Sequence, residues 1–140
     1  MARIVIGVGN RDRGDDACGV AVAERVSGTT SHVVSAGAMD LYKLWTAHDS
    51  VVIVDAMRSG AEAGTVRHFD VSTTPLPTEG FASTHSFGPA TGIELARALG
   101  RLPARIEVIG IEAGDLAVGS GMSGPVGVAV KDLVVELSDA

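Results

Sequence analysis

Acidic residues stand where two apolar runs of the sequence end. After the run ARIVIGV, the segment GNRDRGDDACG brings the adjacent acids Asp15 and Asp16, and the run SVVIVDAM contains Asp55. A histidine, His85, lies in a polar segment just ahead of a predicted helix. Carboxylate oxygens and an imidazole nitrogen are ligands that suit a divalent transition metal. An acid of the first loop, Asp55 and His85 are therefore a candidate metal-binding set, provided that the fold brings them together.

Each of these residues also has an ordinary structural explanation. Asp15 suits an N-cap, and Asp16 suits the first turn of a helix, near the positive end of the helix dipole. Asp55 at a strand end suits a turn, and a loop histidine such as His85 is more often a plain polar residue than a ligand. Cys18 suits a small buried apolar position. No nucleophile-elbow sequence surrounds the serines of the STHS segment.

The elements that must position these residues alternate between strand-like and helix-like patterns along the chain. Short β-branched runs predict strands that are covered on both faces, and apolar residues at helical spacing predict helices. We predict strands at 2–8, 31–37, 50–57 and 104–112, an edge strand at 64–71, and helices from Asp15 to about Val26, around Leu41–Trp45, at 88–100 and from Pro125. This alternation predicts an α/β fold with a mostly parallel sheet and helices on both sides. Ligands of such sheets bind at the carboxyl ends of the strands.

Composition narrows the class of protein. The 140 residues suit a single domain, 1–140, and a hydrophobic content of 46% is enough for a packed core. The net charge is −6 and the basic residues are scattered, which argues against a nucleic-acid partner. The single cysteine excludes an internal disulfide. With no signal-like start and no apolar run of membrane-spanning length, we expect a soluble cytoplasmic domain without a membrane partner.

The tetrapeptide GVGN offers a competing interpretation as a phosphate-binding turn of a flavodoxin-like nucleotide-binding domain. The dinucleotide fingerprint requires a third glycine where this chain has Asp12. The carboxylates at positions 12, 15 and 16 would also repel a pyrophosphate. A nucleotide site is therefore disfavoured.

Taken in order, these segments resemble the nickel-iron hydrogenase maturation endopeptidases. The family opens with a strand, Gly-x-Gly-Asn, an acid pair and a glycine, as in IVIGVGNRDRGDDACGV here. The second acidic segment of the family resembles VVIVDAMRSG, and its histidine ahead of a helix resembles STHSFGPATGIELARALG. The last strand and the closing helix of the family resemble IEVIGIE and GSGMSGPVGVAVKDLVVEL, respectively. The chain departs at positions 11–13, which read Arg-Asp-Arg where a hydrophobic residue is common in the middle, and at Ala17, where glycine is frequent. The first departure makes a loop that faces the precursor more polar.

The resemblance implies a three-layer α/β/α sandwich and an endopeptidase that removes the C-terminal extension of a nickel-loaded hydrogenase large-subunit precursor. It implies that Asp16, Asp55 and His85 contact the nickel, which belongs to the substrate and is not held stably by the free protein. Cleavage could use the metal to polarise the carbonyl or a carboxylate to activate water. Because no classical nucleophile is present, a metal-sensing module without peptidase activity is the alternative.

Overall fold

The described part of the chain contains five strands and three helices of eight or more residues. The computed structural model describes residues 3–34, 43–45, 48–76 and 89–138. The strands are β1 (Arg3–Val8), β2 (Thr30–Val34), β3 (Ser50–Met57), β4 (Val66–Asp70) and β5 (Arg105–Glu112). The helices are α1 (Cys18–Arg25), α2 (Pro89–Ala98) and α3 (Gly124–Leu137), and a short 3-10 helix, Gly14–Ala17, precedes α1.

The strands form one sheet in the order β2-β1-β3-β5-β4. The first four strands of this order are parallel, and β4 pairs antiparallel with β5 at the edge. The predicted mostly parallel sheet and the predicted edge strand are both confirmed. The carboxyl ends of β1, β3 and β5 therefore meet at one edge of the sheet, which we call the carboxyl edge, and the opposite side is the amino edge.

Side chains that alternate along the central strands supply two cores, one on each face of the sheet. On one face, Ile4 and Ile53 pack in a cluster that contains Ile93 of α2 and the fully buried Trp45. On the other face, the cluster contains Val5 and residues of α1 and α3. Helices thus cover both faces, which confirms the three-layer α/β/α sandwich.

Helix α1 lies unusually close to the sheet because two glycines face each other. A Cβ added at Gly7 of β1 would overlap the carbonyl oxygen of Gly19 in α1. A Cβ added at Gly19 would overlap the carbonyl oxygen of Val54 in β3. The glycines therefore allow the first turn of α1 to rest on the ends of β1 and β3, and the preceding 3-10 helix lies at the carboxyl edge.

The C-terminal end of helix α2 lies near the amino edge of the sheet. Near its C-terminal end, Arg97 Nη2 donates a 2.9 Å hydrogen bond to the carbonyl oxygen of Val71. Val71 in turn donates its amide to the carbonyl oxygen of Ile106, at the start of β5. Ten helical residues span about 15 Å, so Pro89, at the start of α2, lies about 15 Å from this anchored end.

Several predicted boundaries differ from those observed. The helix predicted to begin at Asp15 begins at Cys18, after the 3-10 helix, and β2 ends at Val34 in the described part of the chain. Residues 43–45 are helical, whereas 35–42 lie outside the described residues. Among the helices that the structure describes, none is long and apolar enough to cross a bilayer.

Candidate functional site

Four carboxyl groups are buried at the carboxyl edge of the sheet. In the described part of the chain, the buried polar or charged residues are Asp15, Asp16, Asp55 and Glu112. Two of them come from the 3-10 helix after β1, one from the end of β3 and one from the end of β5. A buried carboxylate is costly unless hydrogen bonds or a cation satisfy it. The partners of each oxygen therefore indicate what each acid does.

Asp16 is only partly satisfied by the protein. Its Oδ2 accepts a 3.1 Å hydrogen bond from the amide of Asn10, and Arg13 Nη1 lies 3.9 Å from the same oxygen. Its Oδ1 is buried and has no hydrogen-bond partner. Burial raises the pKa of Asp16 above its ordinary value, although the Asn10 amide and the Arg13 charge oppose this shift. Oδ1 is thus an oxygen that a cation brought to the site could satisfy.

Asp55 lies at the same edge, near the end of β3. It pairs across the sheet with Gly110 of β5 and is fully buried, and its Oδ1 accepts a 2.8 Å hydrogen bond from the amide of Ala56. The buried Cys18 thiol lies close enough to Asp55 and Asp16 to be affected by their negative charges. Burial and then the negative charges of Asp55 and Asp16 raise the pKa of the Cys18 thiol. The structure therefore brings Asp16 and Asp55 to one side of the sheet, around the start of α1.

The predicted third ligand, His85, lies outside the described residues. Four positions later in the chain, Pro89 begins α2. Among the residues that the structure does describe, no three histidine, cysteine or acidic side chains converge as a metal site would require. The three-residue set of Asp16, Asp55 and His85 therefore remains a prediction.

Asp15 does not cap the following helix, and the N-cap prediction is wrong. The residue at the N-cap of α1 is Ala17, and no side chain caps that helix. The carboxylate of Asp15 instead accepts hydrogen bonds from the loop that follows β5. Burial would raise the pKa of Asp15, but amide hydrogen bonds from Asp115, Ser123 and Gly114 outweigh burial and hold the pKa below its ordinary value. This carboxylate is occupied by protein donors.

Glu112 is a buried acid that the sequence analysis did not single out. Its two carboxylate oxygens accept hydrogen bonds from the amide of Ser59, and Oε1 also accepts one from the Ser59 hydroxyl at 2.6 Å. Glu112 therefore fixes the loop after β3, and both of its oxygens are already paired with donors of Ser59. The signal in the sequence was an acid at the end of the apolar run IEVIGIE.

The GVGN turn is not organised to hold a phosphate. The amide of Asn10 donates to Asp16, and the amide of Asp12 donates to Asn10 Oδ1. The amide of Arg13 donates to the carbonyl oxygen of Asn10. A phosphate site needs free amides at this turn, and these three amides are already paired within the protein.

Comparison with known proteins identifies the family. The family model named HycI, hydrogenase maturation protease, matches residues 22–140. The chain belongs to the hydrogenase maturation protease family. It is therefore a hydrolase of the endopeptidase class, as the sequence resemblance implied. No curated protein matches the chain.

Solved structures of maturation proteases share the fold over almost the whole chain. The [NiFe] hydrogenase maturation protease HybD from Thermococcus kodakarensis is 25% identical, with a TM-score of 0.77 over 97% of this chain and 96% of that one. HycI from Thermococcus kodakarensis KOD1 is 26% identical, with a TM-score of 0.73 over 97% and 89%. The hydrogenase maturating endopeptidase HybD from E. coli, at 23% identity, has a TM-score of 0.80 over 98% and 90%. The structural matches therefore extend to the first strand and the 3-10 helix, which precede the region matched by the family model.

Proposed function

We propose that this maturation protease removes the C-terminal extension of a hydrogenase large-subunit precursor after nickel has been inserted into that precursor. Asp16, Asp55 and His85 contact the nickel ion, which arrives as part of the substrate. The loaded metal site thereby orders the precursor so that the scissile peptide lies beside the acids. Reaction of a bond held in position is far faster than reaction of a free one.

The buried Oδ1 of Asp16 is the observation that carries this proposal. A carboxylate oxygen without a donor is unfavourable in the free protein, because it is desolvated and unpaired. A divalent cation supplied by the substrate would satisfy it. The fully buried Asp55 lies at the same edge. Two carboxylates and one imidazole leave coordination positions for the ligands of the precursor itself.

Two chemical routes to hydrolysis are compatible with this set. The substrate's nickel can polarise the scissile carbonyl as a Lewis acid. Alternatively, one of the carboxylates can activate the attacking water, and the raised pKa of Asp16 moves that group toward the range in which a general base is effective. In both routes Asp16 and Asp55 are required, either to hold the substrate's nickel or to activate the attacking water.

Substitution of the acids tests the proposal. Asp16→Asn and Asp55→Asn keep the side-chain shape but remove the charge, so we expect processing of a nickel-loaded precursor to fall by about 100-fold or more. His85→Gln should have a similar effect. The readout is the mass of the precursor, which decreases when the C-terminal extension is released. Asp132→Asn, at an exposed position of α3, is the control and should leave the rate unchanged.

Two results would contradict the proposal. Normal processing by both aspartate variants would exclude the site. Binding of the loaded precursor by the wild-type protein without any loss of mass would instead favour a metal-sensing module, although membership of a protease family argues for cleavage.

A further inference from the structure

The carboxylate of Asp15 holds together two segments that lie about a hundred residues apart in the sequence. Its Oδ2 accepts hydrogen bonds from the amides of Gly114 and Asp115, at 2.6 and 2.9 Å, and from the hydroxyl of Ser123 at 2.9 Å. Its Oδ1 accepts a 2.7 Å hydrogen bond from the amide of Ser123. Asp15 is fully buried. We call residues 113–123, between β5 and α3, the closing loop.

Backbone contacts also join the residues around Asp15 to the closing loop. The amide of Asp15 donates a 2.7 Å hydrogen bond to the carbonyl oxygen of Asp115, and the amide of Gly119 donates one to the carbonyl oxygen of Asp12. A Cβ at Gly14 would overlap the carbonyl oxygen of Asp115, so glycine is needed for this close approach. The 3-10 helix that carries Asp16 is therefore fixed to the closing loop at Gly14 and Asp15, and the chain just before it is fixed at Asp12.

Asp16 has few restraints of its own. Its carboxylate receives one hydrogen bond, from the amide of Asn10, while Oδ1 has no donor. A ligand oxygen without donors is oriented by the backbone that carries it. That backbone is held in turn by Asp15, which is the preceding residue in the chain and accepts hydrogen bonds on both carboxylate oxygens.

We propose that Asp15 is a positioning residue for the cleavage reaction, which fixes the 3-10 helix against the closing loop and thereby sets the direction of the Asp16 carboxylate. This inference rests on the proposed role of Asp16 in contacting the substrate's nickel. Outer partners that orient a ligand typically affect metal binding or activity by 10- to 100-fold. Asp15 contacts neither substrate nor metal, and its effect is transmitted through Asp16.

A matched pair of variants separates positioning from general destabilisation. Asp15→Asn and Glu112→Gln each replace a buried carboxylate that fixes one loop of the carboxyl edge, but Glu112 holds Ser59 and not the segment of Asp16. Both should lower the melting temperature. At a temperature where both are folded, we expect Asp15→Asn to lower kcat by about 10-fold or more at saturating nickel-loaded precursor, whereas Glu112→Gln should stay within about 2-fold of wild type.

A milder pair covers the case in which Asp15→Asn does not fold. Ser123→Ala and Ser59→Ala each remove one hydroxyl that donates to Asp15 or Glu112, respectively. Only Ser123→Ala should lower kcat. Hydrogen exchange should also accelerate at the amides of Gly114, Asp115 and Ser123 in Ser123→Ala, and remain unchanged there in Ser59→Ala.

The outcomes distinguish this inference from the proposed function. If wild-type protein cleaves and Asp16→Asn does not, the proposed function stands, and equal kcat values for the Asp15 and Glu112 variants would then overturn the positioning role. Equal kcat values for the two serine variants would do the same. If wild-type protein leaves the loaded precursor intact, or if Asp16→Asn and Asp55→Asn both cleave normally, the proposed function itself fails. Normal cleavage by Asp16→Asn alone would overturn the positioning role, because that role acts through Asp16.

Discussion

Asp15 and Asp16 are neighbours in sequence, yet their surroundings give them opposite properties. Asp15 receives hydrogen bonds on both oxygens, and its pKa lies below the ordinary value of 3.8 because amide donors outweigh burial. Asp16 receives one such hydrogen bond, and burial raises its pKa above the same value. Since a difference of environment separates the roles of paired acids, this contrast supports the proposal that Asp16 takes part in the chemistry while Asp15 holds the structure around it.

The two acids should therefore affect stability with opposite dependence on pH. A lowered pKa in the folded state stabilises the fold above the unfolded value of about 3.9, and this contribution disappears as the pH falls through the folded pKa. In urea unfolding, wild type should exceed Asp15→Asn in stability at pH 7, and the difference should shrink below about pH 4.

The Asp16→Asn variant is the control, because the effect of the Asp16 charge on stability should change with pH in the opposite direction. The raised pKa of Asp16 means that wild type loses stability relative to this variant as the pH rises through the folded pKa. A difference between wild type and Asp15→Asn that does not change between pH 7 and pH 3 would contradict the role of the Asp15 charge.

Cys18 should be unreactive in the folded protein. It is the single cysteine, it is fully buried, and burial together with Asp55 and Asp16 raises its pKa. Because the thiolate is the reactive form, we expect a disulfide reagent such as DTNB to react about 100-fold or more slowly with native protein than with protein in urea. Equal rates in the two conditions would show that the start of α1 is open to solvent.

At the scale of elements, the approach of α1 to the sheet places the acids. Gly7 and Gly19 remove the side chains that would separate the helix from β1 and β3. The same approach carries the 3-10 helix to the end of β3, where Asp55 is located. Gly7 and Gly19 thus allow the close packing of α1 and, through it, place Asp16 near Asp55 at the carboxyl edge.

Alanine at Gly19 should disturb both stability and activity. The added methyl group would overlap the carbonyl oxygen of Val54, which is a backbone atom that cannot rotate away. Overpacking of this kind costs about 1–3 kcal/mol. Gly127 of α3 is the matched control, because a Cβ there meets nothing within 4 Å, and Gly127→Ala should be neutral or stabilising by up to about 1 kcal/mol. Urea unfolding of the two variants would contradict this account if their stabilities changed equally.

Local patterns predicted the elements better than they predicted the contacts of individual acids. The apolar runs that became β1, β3 and β5 were recognisable because strands buried on both faces are continuously apolar. The role of Asp15 was not recognisable, because its partners Gly114 and Ser123 are remote in sequence and a helix cap is the commoner use of such an acid. Glu112 was missed for the same reason, since its partner Ser59 lies 53 residues away.

At the scale of the whole molecule, one sheet is shared by two cores. Trp45 belongs to the core under α2, whereas α1 and α3 pack in the core on the other face. Both cores use side chains of the same strands, alternating along β1 and β3. We therefore expect the two faces to lose their structure together.

Unfolding experiments test this cooperativity and the prediction of a single domain. Trp45 is the single tryptophan, so its fluorescence reports on one face, while far-UV circular dichroism reports on all helices. The two urea transitions should have the same midpoint, as for a two-state domain of this size. Separate midpoints would show that the layers unfold independently.

The attachment made by Asp15 has a consequence for how the enzyme is produced. Its partners at 114, 115 and 123 are translated about a hundred residues after it, and non-local contacts of this kind form late in folding. A ribosome-bound chain or a fragment that stops after β3 holds Asp16 and Asp55 but not the support that orients them. If the proposed function holds, proteolytic competence should then appear only once residues 113–123 have been synthesised and have folded onto the 3-10 helix.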